Sequence, residues 1–225
     1  MSSESEKKGS VLWKRPSSKW LLGIPIGGFL MLVVGAAGLL VMNTVLHVTS
    51  TTEFCLSCHT HTVNSVDEYE ASSHANNASG VRAQCADCHL PNPEEHWFRY
   101  VGMKMIVSLD IIAEIRGIAH DPADYEAHRG PWAKKVWIEY RENKSEFCLH
   151  CHAFDHMVEA DQPRMAQRRH SKAEERGQSC IDCHQGIVHK LPENWDQIWN
   201  EVEEETAYLS PEGSGEDNSR LASKD

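Results

Sequence analysis

The longest uninterrupted pattern in the chain is apolar. From Trp20 to Leu46 there is no charged residue, and a bilayer is crossed by about 20 apolar residues in a helix. Lys7, Lys8, Lys14, Arg15 and Lys19 precede this stretch. Basic residues stay on the cytoplasmic side, so residues 1–19 are expected inside and the chain beyond residue 46 outside. A cleaved signal peptide would have a shorter apolar region followed by a small-x-small site. The length here favours an uncleaved anchor over residues 20–46. Gly23 and Gly27 form a small-xxx-small pair of the kind that packs two anchors into a homo-oligomer, although glycine is frequent in membrane helices for other reasons.

Beyond the anchor the periodicity is helical and strand signals are weak. Met103, Ile106, Val107, Ile111 and Ile115 recur at helical spacing and predict one apolar face on a helix within 96–118. Lys104 and Asp110 interrupt that face, and Trp97, Phe98 and Tyr100 at its start suit a headgroup layer. Asp121-Pro122 predicts a turn followed by a helix, with Trp132, Val136 and Tyr140 on its buried side. Trp195 and Trp199 share a face of a short helix after Pro192. Residues 201–225 turn acidic and rich in Ser and Gly, which predicts a disordered tail.

The net charge of −11 argues against nucleic acid as a partner and suits a protein with a basic patch. The cysteines change the picture more. All 8 fall in four Cys-x-x-Cys-His motifs: Cys55/Cys58/His59, Cys85/Cys88/His89, Cys148/Cys151/His152 and Cys180/Cys183/His184. This is the attachment signature of c-type haem. The two thiols bond the porphyrin and the adjacent His offers an axial nitrogen to iron. Paired Cys-x-x-Cys hooks also hold structural zinc, and a disulfide framework also uses even cysteine numbers. Neither gives a reason for a His after every second Cys. Four covalent haems place residues 47–200 in the periplasm. They also predict a mainly α domain packed around haem rather than around a large side-chain core.

Two related halves are visible, about 54–118 and 147–192. The first reads Phe54-CLSCH, His74, Gly80, then CADCH; the second reads Phe147-CLHCH, His170, Gly177, then CIDCH. Repeated units tend to repeat their role, so this internal duplication nominates His74 and His170 as equivalent distal iron ligands. His189, five residues after His184, is a further candidate. His96 ranks lower. His47, His120, His128, His150 and His156 are expected to be ordinary polar residues.

A single anchor, four CxxCH motifs and the segments SGVRAQCADCHLP and GQSCIDCHQGIVHKLP resemble the NapC/NirT family of membrane-anchored tetrahaem cytochromes. The resemblance covers residues 12–192. It implies a quinol dehydrogenase in the bacterial inner membrane, oxidising menaquinol or ubiquinol and passing electrons to a periplasmic terminal reductase. It also implies that His74, His170 and His189 stand on distal-ligand positions. KMIVSLD is similar to the family segment bearing a quinol-site Lys and an Asp, here Lys104 and Asp110. The first motif departs from many relatives, which carry Met two residues after the motif His. Here His61 stands in that place, so its haem is bound by His59, by His61, or is open on one side. A passive relay cytochrome without its own quinol site is the alternative. A subunit that mainly anchors a catalytic partner is another.

Overall fold

The computed structural model describes residues 26–209, and no strand occurs among them. The chain divides into a unit ending at Thr49 and a second beginning at Ser50. The first unit is the helix α1, Ile26–Val48, of 23 residues. At 1.5 Å per residue it is about 35 Å long, against a bilayer core of about 30 Å. Its Thr44 hydroxyl donates to the Leu40 carbonyl at 2.9 Å, so this polar side chain is satisfied within the helix. It is the one helix among the described residues that is long and apolar enough to cross a membrane. Trp20, the basic segment and Gly23 lie outside the described residues.

The second unit is built from short helices because haem motifs, prolines and glycines interrupt every apolar run. In order they are α2 Thr52–Cys55, α3 His59–Asn64, α4 Val66–Ala71, α5 Cys85–His89, α6 Trp97–Val107 and α7 Asp110–Ile115. There follow α8 Pro122–Glu142, α9 Glu146–Leu149, α10 Arg164–Arg176 and α11 Trp195–Glu205. The fourth motif opens in a 3-10 turn, Cys180–Asp182.

The turn at Asp121-Pro122 is present. The Asp121 carboxylate accepts from the Ala123 and Asp124 amides, both at 3.0 Å, and Pro122 sits where the missing N–H costs nothing. The buried face of α8 is shifted by one position from the expected one. Trp137 is buried with Ile181, Ile198, Trp199 and Val202, and Ala133 and Tyr140 pack against them. Trp132 is exposed and stacks on His128, with ring centroids 5.2 Å apart. Ala133, Trp137 and Tyr140 keep the expected period. Ala133, not the aromatic Trp132, sets the phase of this face.

The helix expected within 96–118 is broken at Ser108. Its hydroxyl donates to the Lys104 carbonyl at 2.7 Å beside its own amide at 3.0 Å, a back-bond of the kind that bends helices. The domain end expected after residue 200 falls inside α11. Val202 and Thr206 have no exposed surface, while Glu201 and Glu205 reach Lys134 at 2.8 and 2.6 Å. The acidic run thus starts as the solvated side of an amphipathic helix. Residues 210–225, the rest of the expected tail, lie outside the described residues.

Candidate haem centres

Each pair of motifs is joined by a buried hydroxyl three residues before the earlier cysteine. Thr52 donates to the Gln84 side chain at 2.7 Å and accepts from the Cys85 amide at 3.3 Å. Ser145 meets the Ser179 hydroxyl at 2.5 Å and accepts from the Ile181 amide at 3.3 Å. These joints set the first motif against the second and the third against the fourth. The Tyr140 hydroxyl donates to the Cys88 carbonyl, tying α8 to the second motif. The acidic residue shared by the second and fourth motifs is a cap. Asp87 accepts from the Gln84 amide at 2.7 Å, and Asp182 from the Ser179 amide at 3.1 Å.

Among the described residues no disulfide joins any of the eight cysteines. The leading cysteines of the motifs meet in pairs. A side-chain hydrogen bond between Cys55 and Cys85 pushes Cys55 up and pulls Cys85 down to about 6. Cys148 and Cys180 behave alike, with Cys180 pulled down to about 6.

The second cysteines of the motifs fall at different places on their elements. Cys58 caps the start of α3, Cys151 falls two residues past the end of α9, and Cys183 caps the end of the 3-10 turn. Of these four only Cys88 stands within a helix, α5, and there burial pushes its thiol up.

No three His, Cys, Asp or Glu side chains among the described residues converge as a bare metal ion requires. Zinc would need four such ligands around one point. The histidines converge in pairs instead. His89 faces His189 with ring centroids 6.3 Å apart, His74 faces His152 at 6.1 Å, and His170 faces His184 at 6.1 Å. Two imidazoles on one iron need centroids roughly 6 Å apart: about 2 Å per iron–nitrogen bond and about 1 Å from nitrogen to ring centre. Three of the four motifs therefore have an opposing imidazole at the spacing that haem iron demands. Burial lowers the pKa of His74 and His189, which favours neutral rings with nitrogens open to a metal. The small side-chain core fits the same cofactor.

The fourth pair differs. His59 faces His120 at 5.0 Å. Between them stands Glu114, whose carboxylate accepts from the His59 amide and the Thr60 hydroxyl, both at 2.7 Å, and lies 3.3 Å from His120 Nε2. The Thr60 hydrogen bond leads in holding the Glu114 carboxyl below its ordinary range. Sequence reasoning missed both residues. His120 lies outside the duplicated segments, and Glu114 looks like a solvent-facing acid on a helix.

The expected equivalence of His74 and His170 is not seen. His170 faces the motif of its own half, whereas His74 faces His152 of the other half. His61 is exposed and acts electrostatically on His89 and His189. Lys104 is half-buried with its ammonium 5.9 Å over the Phe54 ring. Burial lowers its pKa, and Cys55 of the first motif opposes that shift. Asp110 opens α7 and is exposed. Around them Phe98 is 86 % exposed, Ile106 63 % and Ile115 80 %. Met103 of the expected apolar face is half-buried instead.

Four haem-attachment motifs, each with a second histidine facing its own, define a multihaem c-type cytochrome. Its likeness to known proteins places it further. Residues 16–194 match the model of the NapC/NirT cytochrome c family, N-terminal region, and the chain belongs to that family. It is 46% identical over 160 residues to cytochrome c-type protein TorY of Haemophilus influenzae, covering 71% of this chain and 42% of that protein. It is 37% identical over 201 residues to cytochrome c-type protein NapC of Escherichia coli K12, covering 86% and 96%. A putative tetraheme cytochrome of Allochromatium vinosum is 37% identical over 167 residues, covering 72% and 86%. The chain thus spans less than half the length of the TorY protein but nearly all of NapC. No solved structure matches it.

Proposed function

We propose that this cytochrome is held in the bacterial inner membrane by α1, oxidises membrane quinol on the periplasmic side and delivers electrons to a periplasmic redox partner such as a terminal reductase. The eight motif cysteines hold four haems through thioether bonds. His152, His89 and His184 are axial ligands, with His74, His189 and His170 opposite them. At the first motif His59 and His61 remain the candidate ligands from the chain pattern, and His120 joins them from its place opposite His59. Bound haem iron supplies one-electron exchange.

The observation that carries the quinol reading is the place of Lys104. Its ammonium lies 5.9 Å over the ring of Phe54, the residue before Cys55, on a segment whose apolar side chains are exposed. Quinol oxidation releases two protons with its two electrons, so the site needs a proton acceptor in an apolar setting. A lysine whose pKa burial has lowered is such a group. Its ammonium or amine would hold the quinol oxygen, and exposed Asp110 would pass the proton to water. Contacts then run from the first motif to the second through Thr52 and Gln84, and from the third to the fourth through Ser145 and Ser179. The test is the full chain in lipid nanodiscs mixed with menaquinol or ubiquinol analogues in a stopped-flow spectrometer. Haem reduction on mixing supports the reading. Reduction that occurs only after adding another membrane dehydrogenase would identify a passive relay.

A further inference from the structure

The three histidines that face a motif partner at haem spacing have different groups behind them. His170 Nδ1 meets the neutral amide oxygen of Gln162 at 2.7 Å. His74 Nδ1 is buried with no hydrogen-bond partner. His189 Nδ1 is also buried and lacks a full hydrogen bond, but the Glu68 carboxylate stands 3.5 Å from it.

Glu68 is held firmly. Arg129, 6 % exposed, grips it with two guanidinium nitrogens at 2.7 and 3.0 Å, and the Lys190 amide donates to it at 3.0 Å. The same arginine takes Glu126 with two bonds of 2.8 Å and also donates to the Lys190 carbonyl at 3.0 Å. Bidentate pairing fixes direction as well as distance. One arginine thus ties α4, α8 and the segment just after His189 into a single joint, and it holds a carboxylate oxygen 3.5 Å from the His189 ring nitrogen.

We infer that Glu68 is the positioning residue of the second haem centre: its clamped carboxylate aligns the His189 ring on His89 and makes it a stronger electron donor to iron. A carboxylate behind a ligating imidazole fixes the tautomer and raises ligand basicity. Greater basicity stabilises the oxidised iron, and hydrogen bonding to an axial ligand is one of the levers that set haem potential. The other two paired centres have an amide or nothing in this place, so the second centre carries the strongest such donor of the three. The inference rests on the proposal that His189 and His89 share an iron.

The experiment is spectropotentiometry with electron paramagnetic resonance on the full, four-haem protein. Glu68→Gln removes the charge and keeps the side-chain length. One of the four midpoint potentials should rise, the other three should stay, and one low-spin signal should shift. Glu126→Gln is the control, because it removes the outer partner of Arg129 and leaves Glu68 facing His189. It should move no potential. Unchanged potentials in Glu68→Gln would overturn the inference, and so would an equal shift in Glu126→Gln, which would assign the effect to Arg129 packing. Where Glu68→Gln fails to load four haems, Glu68→Asp decides by the same criterion, since it keeps the charge but withdraws it from the ring. A His189→Ala variant that keeps four low-spin haems would instead remove the ligand assignment beneath it.

Discussion

The ring of His74 meets the ring of His152 nearly edge-on, with centroids 6.1 Å apart. One belongs to the segment between the first two motifs, and the other ends the third. His189, near the end of the domain, returns to His89 of the second motif. The second and third motif histidines therefore face rings from across the midpoint of the chain, while His184 of the fourth faces nearby His170.

Removing His74 should leave one iron without its opposing nitrogen. We expect His74→Ala to convert one haem of four from low to high spin, read by magnetic circular dichroism in the near infrared. His170→Ala should convert a different haem, so the double variant should show two. A double variant that converts only one would contradict the separate pairing.

Lys104→Gln should slow quinol-driven haem reduction on the order of 100-fold, the usual size of a lost acid–base group, with haem spectra unchanged. Stopped-flow traces at saturating quinol analogue are the measurement. Reduction by dithionite should proceed normally, because that reductant needs no proton acceptor.

Trp137 and Trp199 pack edge to face at 5.8 Å in the side-chain core. Truncating Trp199 to Ala should cost about 3–5 kcal/mol, seen as a lower denaturation midpoint by far-ultraviolet circular dichroism. Trp132→Ala should cost far less, since Trp132 is exposed and stacks only on surface groups.

Gly186 lies between His184 and His189 with φ of +69°, and a Cβ there would meet Leu191 Cγ at 2.8 Å. Gly186→Ala should cost about 1–3 kcal/mol through the left-handed backbone and the displaced leucine. Because Leu191 packs against the core cluster, the loss should appear in global unfolding.

Much of this site was legible because haem attachment is written locally. Cys-x-x-Cys-His needs five consecutive residues, so each motif could be read alone. What the motif does not encode is where its second cysteine falls on a helix. Cys88 lies within a helix while Cys58, Cys151 and Cys183 sit at or beyond helix ends, and the same five-residue spelling covers both cases. His170 and His189 were also visible, close to the fourth motif. The pairing was not, because it depends on how α3, α4 and α8 fold back on one another. His120 and Glu114 show the limit: one is a histidine outside the repeat, the other an acid on an amphipathic helix, and only folding brings both to His59. The repeat misled for the same reason. Similar segments occupy two halves that are packed against different neighbours, so His74 and His170 differ in partner. The shift from Trp132 to Trp137 has a simpler cause. Spacing sets the period of a helix face, but neighbours set its phase.

The exchange of histidines between halves also bears on how the domain comes into being. A chain made from its N-terminus presents Cys85 and Cys88 long before His189 follows. His74 likewise emerges well ahead of His152. Neither middle pair can close until the later half of the chain has followed the earlier one, and the His89 pair must wait for the turn at Gly186. The two stretches of chain are therefore interlocked, like clasped hands.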